Sequence, residues 1–387
     1  MQAVVLAAGK GRRLWPLTEN RPKPMIPVAN RPLLEHIVET LAAAGVEEVV
    51  LVVGSNRERV QSYFEEGTNW DIDISYVVQE SQLGTGHALL QAESQVGESF
   101  IALNGDRIID PSLIEDVWAR HQETSDPVVS VTRVENPSQY GVVNLDGQTI
   151  TDIEEQPHPE LVASKFINAG VYAFDPSIFA AIRQTDSPGE EALTDTLSEH
   201  LDSQQLHAVR YRGRWLDVSE PWDLLSVNDA LIRNGASTNA DTASIDVSAT
   251  VADAAILADG VAVHPQATVL GSVTLGANAS VGAGAIVKNS ILLPDVTIKP
   301  GAVVTDCIVG ANTTIGANTT IEGGDADVVL DDTVHRGVQF GGLIGDNATL
   351  GADVTVEAGT LVGNDTTVET ATVVSGRIDD DSHVVRG

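Results

Sequence analysis

Apolar and polar positions follow two different periods along the chain, and the change falls near residue 235. Before it, short apolar runs alternate with stretches of helical spacing, which predicts strands alternating with helices. This order is typical of a Rossmann-like α/β fold with a mixed, mostly parallel sheet that binds ligands at the carboxyl ends of its strands. Strands are predicted at 3–8, 49–53, 74–79, 100–104 and 128–133, and helices at 33–44, 87–93 and 113–123.

In the second part, aliphatic residues recur every six positions, with small residues, Asn and Asp between them. A hexapeptide repeat of this kind predicts a left-handed parallel β-helix. Residues 323–343 interrupt the repeat and are predicted to form a loop. The repeat positions are Ile245, Val251, Leu257, Val263, Val269, Leu275, Val281, Val287 and Leu293, then Ile298 and Val304, then Val309, Ile315 and Ile321, and finally Ile344, Leu350, Val356, Val362, Val368 and Val374.

The two periods define the predicted domains. Residues 1–235 form the α/β domain, and residues 245–387 form the β-helix domain. The segment between them, 236–244, consists of small and polar residues and is predicted to be a linker. At 387 residues the chain is long enough for each domain to have its own core.

The chain carries 55 acidic and 22 basic residues, for a net charge of −33. Acidic residues spread along the chain, with only five lysines, favour adaptation to molar salt, and so a halophilic organism, over the alternative of an ordinary acidic protein. Such a surface argues against nucleic acid as a partner. No apolar stretch is long enough to span a bilayer, no signal-peptide pattern begins the chain, and Cys307 is the one cysteine. These features predict a cytoplasmic protein without a membrane partner.

The N-terminal segment combines glycines with cations. Gly9 and Gly11 lie in the sequence LAAGKGRRL, and Lys23 stands between two prolines in RPKPM. Glycines allow backbone N–H groups to approach an anion closely, and flanking prolines restrict the direction of a side chain. In so acidic a chain, this grouping predicts a phosphate site. Neither a dinucleotide-binding GxGxxG nor a P-loop GKS/T is present.

LAAGKGRRL followed by RPKPMIPVANRPLL resembles the N-terminal signature of the sugar-1-phosphate nucleotidylyltransferases. The resemblance implies transfer of UMP or dTMP from UTP or dTTP to N-acetylglucosamine-1-phosphate or glucose-1-phosphate, with release of pyrophosphate. It also implies that Arg13 and Lys23 contact the reacting phosphates. The backbone residues that it assigns to nucleotide binding are Leu6, Ala8, Gly9 and Gly11.

Two aspartates are candidate ligands of Mg²⁺, the cofactor that the resemblance implies. Asp106 follows a predicted strand in LNGDR, at the strand end where sites of α/β proteins lie, and Asp217 lies in WLDVSEPWDLL. Carboxylates hold the divalent cation that neutralises charge in phosphoryl transfer. Taken without the resemblance, each aspartate is more simply explained as a turn or cap residue.

The part of the predicted site that binds the nucleotide base consists of Gln79, Gly84 and Thr85. A glutamine amide matches the edge of uracil or thymine, so the sequence does not separate UTP from dTTP. The string QLGTGHA resembles that of bacterial and archaeal UDP-N-acetylglucosamine pyrophosphorylases. The resemblance also implies a sugar pocket formed by Gly141, Glu155, Asn168 and Gly170.

The sugar pocket contains a departure from the family. Where the resemblance implies a lysine that contacts the sugar phosphate, this chain has Gln156, which leaves the identity of the sugar open. The neighbouring Glu154 could take the role of Glu155, because the length of the loop does not fix the register.

The β-helix resembles that of archaeal bifunctional relatives, which also acetylate glucosamine-1-phosphate. The histidine expected upstream of 308–321 is absent from 299–306, and His335 lies in the interrupting segment. We therefore expect a β-helix that assembles subunits into a homotrimer or another homo-oligomer. A bifunctional enzyme and a catalytically silent regulatory subunit are the alternatives; the second would have lost Arg13, Lys23, Asp106 or Asp217, and all four are present.

Overall fold

The computed structural model describes residues 1–54, 56–185, 192–201, 205–235, 240–331 and 333–386. Contacts divide the chain into two units. The first consists of Met1–Lys10, Pro22–Met25 and Leu33–Asp217, and the second of Gly11–Arg21, Ile26–Pro32 and Val218–Gly387. The described α-helices are α1 (Leu17–Asn20), α2 (Leu33–Ala43), α3 (Arg57–Phe64), α4 (Thr85–Leu90), α5 (Pro111–Thr124), α6 (Ser177–Gln184), α7 (Leu193–His200) and α8 (Pro221–Arg233).

A mixed sheet forms the centre of the first unit. In the described part of the chain its order is β5-β4-β1-β6-β11-β8-β12-β10-β9. The pairs β1–β4, β1–β6, β4–β5 and β8–β12 are parallel. The strands up to residue 217 are β1 (Gln2–Ala7), β2 (Pro27–Val28), β3 (Arg31–Pro32), β4 (Glu48–Val53), β5 (Asp73–Val78), β6 (Phe100–Asn104), β7 (Arg107–Ile109), β8 (Val128–Arg133), β9 (Gly141–Asp146), β10 (Thr149–Glu155), β11 (Phe166–Phe174), β12 (His207–Arg210) and β13 (Trp215–Asp217).

The predicted α/β fold is confirmed. Strands β1, β4 and β6 are almost entirely apolar and buried, as expected for strands covered on both faces. The antiparallel part arises from β11, which pairs with β6, β8 and β9 and so joins the hairpin β9–β10 to the parallel strands. No described helix is long and apolar enough to cross a membrane.

The second unit contains three stacked parallel sheets, as predicted for a left-handed β-helix of hexapeptide repeats. The described residues form sheets of eight, seven and seven strands. Pairing with the coil begins at Ala240, whose N–H donates to Leu257. Residues 236–239 of the predicted linker lie outside the described residues. The strands are β14 (Ser244–Ile245), β15 (Thr250–Val251), β16 (Ala255–Leu257), β17 (Ala262–Val263), β18 (Thr268–Val269), β19 (Val273–Leu275), β20 (Ser280–Val281), β21 (Ile286–Lys288), β22 (Ile291–Leu292), β23 (Thr297–Ile298), β24 (Val303–Thr305), β25 (Cys307–Val309), β26 (Thr314–Ile315), β27 (Thr320–Ile321), β28 (Asp325–Leu330), β29 (Thr333–Gln339), β30 (Gly342–Ile344), β31 (Thr349–Leu350), β32 (Thr355–Val356), β33 (Thr360–Val362), β34 (Thr367–Val368), β35 (Val373–Val374), β36 (Arg377–Ile378) and β37 (His383–Val384).

The six-residue pattern differs from the structure at one coil. Leu292, rather than Leu293, pairs with Leu275 and joins the interior stack, so the one-residue slip falls between Val287 and Leu292. Both leucines are buried, and a one-residue slip moves the inward position to its neighbour, so spacing alone assigned the wrong one.

The interruption is an antiparallel hairpin, β28–β29, where the sequence predicted a loop. His335 lies on β29, and its ring packs against Trp222 of α8 at a centroid distance of 5.1 Å. The histidine is therefore in contact with an aromatic side chain.

Candidate functional site

The site begins where β1 and β6 end side by side. Leu6 of β1 is paired with Asn104 of β6, and the Gly105 N–H donates to the Leu6 carbonyl at 2.9 Å. A β-carbon on Gly105 would lie 2.8 Å from the Leu6 oxygen. Only glycine allows the backbone to come this close to the Leu6 carbonyl, and the close approach places the turn that carries Asp106 against β1.

Two aspartates and two cations meet beyond this turn. Lys23 Nζ lies 2.6 Å from Asp106 Oδ2. The Arg107 guanidinium contacts Asp217, its partner in the β7–β13 pair, and lies 3.4 Å from Asp106 Oδ1. Each of these four side chains is mostly buried, with 6% to 26% of its surface exposed. The predicted residues Lys23, Asp106 and Asp217 are thus brought together.

Asp106 and Asp217 lie close enough together for one guanidinium to contact both carboxylates. A divalent cation at the same place could therefore bind both. Mg²⁺ prefers oxygen ligands and is usually held by one or two carboxylates, with water and substrate phosphates completing its shell. Within the described ranges no group of three or more His, Cys, Asp or Glu side chains could hold a metal. The pair therefore suits a cation that the substrate helps to bind.

Gln79 lies at the end of β5 and is almost fully buried. Its amide nitrogen donates to the Gly84 carbonyl at 3.1 Å and lies 2.9 Å from Nδ1 of His87. Gly84 has a φ of 117°, a conformation that favours glycine. These contacts fix the loop that leads into α4. Thr85 is the first residue of α4, and its hydroxyl accepts a hydrogen bond from the Leu193 N–H at 2.9 Å.

Gln82 joins this loop to the signature strand. Its amide nitrogen donates to the Ala8 carbonyl at 2.5 Å, and its Oε1 is buried without a hydrogen-bond partner among the described residues. Gly54 lies beside this contact, since a β-carbon there would be 3.1 Å from the Ala8 oxygen. The loop that contains Gln82 therefore packs against the end of β1.

The predicted sugar residues lie on neighbouring strands. Glu155 is paired with Gly141 across β9–β10, and a β-carbon on Gly141 would lie 2.9 Å from Glu155 Oε2. Asn168 accepts from the Gly170 N–H at 3.0 Å and donates to the Tyr172 hydroxyl at 2.7 Å. Because side chains alternate along a strand, Glu154 points to the opposite face.

The Glu155 carboxylate is accessible but is surrounded by protein. Desolvation is the main influence and raises its pKa; Asp195 adds to the rise, while a hydrogen bond from Thr194 and the charge of Arg107 oppose it. The pKa of Glu155 is above its ordinary value. Its oxygens can accept hydrogen bonds from a hydroxyl-rich ligand.

Arg13 belongs to the second unit together with Gly11. Its guanidinium lies 2.7 Å from Glu220, the N-cap residue of α8. Glu220 and Asp223 form a capping box, in which Asp223 Oδ2 accepts from the Ser219 and Glu220 N–H groups at 2.9 and 2.7 Å. In the described structure, then, a carboxylate at a helix N-terminus holds this predicted phosphate ligand.

Burial, together with the adjacent charge of Glu220, raises the pKa of Asp223 to about 7. Since this pKa is above that of an unfolded aspartate, the stability that the protonated group gives is present at low pH and is lost as pH rises through about 7.

Asp223→Asn should remove this loss of stability. We expect the variant to gain roughly 1–3 kcal/mol relative to the native chain between pH 5 and 8. Urea unfolding at constant KCl measures the free energy of unfolding at each pH, with the exposed Asp241→Asn as control. Parallel pH profiles for the native and Asp223→Asn chains would contradict a raised pKa of Asp223.

Three stacked side chains on successive β-helix coils contact the signature segment within the second unit. Arg21 and Asn20 bind Asp346 at 2.7 and 3.0 Å, and Asn364 donates to the Pro16 carbonyl at 3.1 Å. On the next coil, Asp380 accepts from the Trp15 indole at 3.3 Å. The stack is continuous, because Asn364 also accepts from the Asp346 N–H, and Asp380 from the Asn364 N–H.

Asp346→Ala should destabilise the second unit strongly, because it leaves the buried Arg21 guanidinium without its counter-ion. Removal of one partner from a buried ion pair costs about 3–5 kcal/mol. Urea unfolding measures the loss, and the exposed Asp241→Ala should stay within about 0.5 kcal/mol of the native chain. A loss below about 1 kcal/mol for Asp346→Ala would show that Arg21 finds solvent or another partner.

Sequence reasoning missed two residues of this site. Arg107 directly follows Asp106 in the sequence, but its direction depends on the pairing of β7 with β13. Gln82 lies inside the quoted base-loop string, and only its contact with Ala8 reveals its place. The first unit thus offers mostly buried carboxylates and cations at the strand ends, together with the loop of Gln79 and the strands that carry Glu155 and Asn168. These features define a site for a phosphorylated ligand in an α/β transferase.

Comparisons with known proteins agree with this class. The family described as nucleotidyl transferase matches residues 2–234, more than half of the chain. The chain therefore belongs to the nucleotidyl transferase family, as its signature indicated. The GMPPB C-terminal domain matches residues 251–341, and the hexapeptide repeat of succinyl-transferase matches residues 343–375.

Among similar proteins, the bifunctional protein GlmU of Methanococcus maripaludis is 41% identical over 231 residues, which are 59% of this chain and 54% of that protein. The UTP–glucose-1-phosphate uridylyltransferase AglF of Haloferax volcanii is 36% identical and covers 58% of this chain and 93% of its own. This chain thus spans about half the length of the GlmU relatives. A UDP-glucose pyrophosphorylase solved with UDP-glucose is 27% identical with a TM-score of 0.56, and covers 60% of this chain and 98% of its own.

Proposed function

We propose that this protein is a Mg²⁺-dependent sugar-1-phosphate nucleotidylyltransferase. It transfers UMP or dTMP from the nucleoside triphosphate to N-acetylglucosamine-1-phosphate or glucose-1-phosphate. The observation that carries the proposal is the pair of aspartates, Asp106 and Asp217, placed with Lys23 at the strand ends. A binding module would not need cations and metal-type carboxylates buried together at the same point.

In the proposed reaction, an oxygen of the sugar phosphate forms a bond to the α-phosphorus, and the bond from that phosphorus to the bridging oxygen breaks. Pyrophosphate leaves with the electron pair of that bond. Lys23 neutralises charge that accumulates at the phosphates, and Gln79 binds the pyrimidine edge. The glycine backbone of 9–11 binds the triphosphate. Mg²⁺ held by Asp106 and Asp217 would act as a Lewis acid on the phosphate oxygens.

The sugar lies, in this proposal, between Gly141 and Gly170, where Glu155 and Asn168 accept hydrogen bonds from its hydroxyls. Either pyrimidine nucleotide fits Gln79, because UTP and dTTP present the same base edge. The similarity to AglF and to UDP-glucose pyrophosphorylase supports a uridylyl donor and a glucose-type acceptor. The GlmU relatives support the N-acetylglucosamine acceptor.

We place the enzyme in the cytoplasm of a halophilic cell, and we assign assembly to the β-helix. The net charge of −33 supports the first proposal, and the single buried Cys307 suits a reducing compartment. The flat parallel sheets of the β-helix, one of which exposes Ile286 and Val373, are the surfaces through which we propose that subunits assemble into a homo-oligomer such as a trimer. Light scattering in molar KCl distinguishes a trimer from a monomer.

A panel of substrates tests the proposed reaction. Pyrophosphate release is measured in molar KCl with Mg²⁺, for UTP and dTTP crossed with glucose-, glucosamine- and N-acetylglucosamine-1-phosphate. We expect one pair to exceed all others; no release from any pair by folded protein would refute the proposal. Acetyl-coenzyme A consumption with glucosamine-1-phosphate tests the bifunctional alternative, and His335, whose ring packs against Trp222, is the histidine to replace in that assay.

A further inference from the structure

Arg107 is held in a fixed direction by three neighbours. It begins β7, where it is paired with Asp217 of β13. Its guanidinium lies 5.2 Å from the ring centre of Trp215 and contacts Asp217, with Asp106 at 3.4 Å. Only 12% of its side-chain surface is exposed. A long side chain fixed by stacking and ion pairs loses little further entropy when it binds a ligand.

The hydrogen-bonding capacity of this guanidinium is incompletely used. Its Nε is buried and has no hydrogen-bond partner among the residues that the structure describes. A buried donor without a partner costs free energy, which a ligand with acceptor oxygens would recover. The planar fork of Arg matches the oxygens of a phosphate in a bidentate geometry.

The same guanidinium borders the sugar pocket. A β-carbon on Gly170 would lie 2.9 Å from the Asn104 amide and 3.5 Å from Arg107 Nε. The charge of Arg107 also opposes the rise in the pKa of Glu155 that desolvation causes, and Glu155 pairs with Gly141 on the other side of the predicted pocket. Arg107 therefore lies between the two aspartates and the residues assigned to the sugar.

We propose that Arg107 binds the phosphate of the sugar-1-phosphate substrate, and that it determines affinity for the phosphorylated sugar. The inference rests on the proposed function and adds to it the group that recognises the acceptor's anionic end. Gln156, which follows Glu155, supplies no charge for this purpose.

The charges of the site agree with this role. Lys23 and Arg107 balance Asp106 and Asp217, so the four side chains together carry no net charge. A divalent cation held by the aspartates would offset their negative charge, which now balances Lys23 and Arg107. The dianionic phosphate of the acceptor is then the group that neutralises both the cation and Arg107.

Arg107→Gln and Arg107→Lys test the proposal, with the exposed Arg59→Gln on α3 as matched control. Steady-state kinetics give KM separately for the nucleotide and for the sugar-1-phosphate. Calorimetric titration with glucose-1-phosphate and N-acetylglucosamine-1-phosphate, in the presence of Mg²⁺ and a non-reactive UTP analogue, measures binding without turnover. Thermal unfolding in the same buffer confirms that each variant is folded.

We expect Arg107→Gln to weaken sugar-1-phosphate binding by roughly 10- to 100-fold, to change the nucleotide KM by less than about 2-fold, and to be partly rescued by Arg107→Lys. An unchanged KM and Kd for the sugar phosphate, or an equal rise in both KM values, would overturn the proposal. If the native protein makes no sugar nucleotide, the proposed function fails, and the titration still decides whether Arg107 binds the phosphate.

Discussion

Asp106→Asn should lower kcat by roughly 10³-fold or more, because it removes a carboxylate from the proposed cation site and the counter-ion of Lys23. Asparagine keeps the size and one acceptor oxygen, so the turn after β6 should remain folded. Because the lost interaction is made, in the proposed reaction, with the reacting phosphates, kcat should fall far more than the nucleotide KM rises.

The matched control for this variant is Asp116→Asn on α5, whose side chain is exposed. It removes the same charge from the same unit and should leave kcat within about 2-fold of the native value. Steady-state pyrophosphate release, with thermal unfolding as a check on folding, makes the comparison. More than a tenth of native kcat in Asp106→Asn would exclude Asp106 as a required metal ligand.

Lys23→Met is expected to lower kcat/KM by roughly 10²- to 10³-fold, the loss typical of removing one preorganised charge from the reacting group. The prolines on either side of Lys23 restrict its backbone, and the side chain is 14% exposed, so the ammonium is fixed before substrate binds. Methionine keeps the length and apolar stem, so the change isolates the charge.

Lys165→Met provides the control, since Lys165 pairs with Glu135 at the surface and lies half-exposed. It should leave kcat/KM unchanged. In the double variant Asp106→Asn/Lys23→Met, the two losses should not add, because both residues act on the same phosphates. A Lys23→Met variant with native kcat/KM, or fully additive losses, would separate Lys23 from the chemistry.

The sequence was sufficient for the residues whose positions follow from local pattern. Gln79 comes directly after β5 and Asp106 two residues after the apolar β6, and the carboxyl ends of parallel strands meet at one edge of the sheet. The repeat positions from Leu257 to Val287 are all interior, because a six-residue coil fixes which side chains point inward.

What the sequence could not predict depends on distant pairing. Arg107 faces the aspartates because β7 pairs with β13, and Arg13 has Glu220 as a partner from α8. The six-residue pattern predicts Leu293 as the interior residue, but the interior residue is Leu292. Two adjacent leucines satisfy the same pattern, and only the pairing with Leu275 distinguishes them. The hairpin β28–β29 contains acidic residues and glycines, which are also common in loops. Its composition therefore does not distinguish a hairpin from a loop.

The central claim is that this chain moves a nucleotidyl group, and the fate of the α-phosphorus tests it most directly. Folded protein in molar KCl with Mg²⁺ is given the preferred sugar-1-phosphate and UTP, or dTTP if that is preferred, radiolabelled at the α-phosphorus. We predict that the label appears in a nucleoside diphosphate sugar, with one unlabelled pyrophosphate released for each labelled product, and that Asp106→Asn abolishes both. Label that remains in the triphosphate, or that leaves as free mononucleotide or diphosphate, would contradict the account.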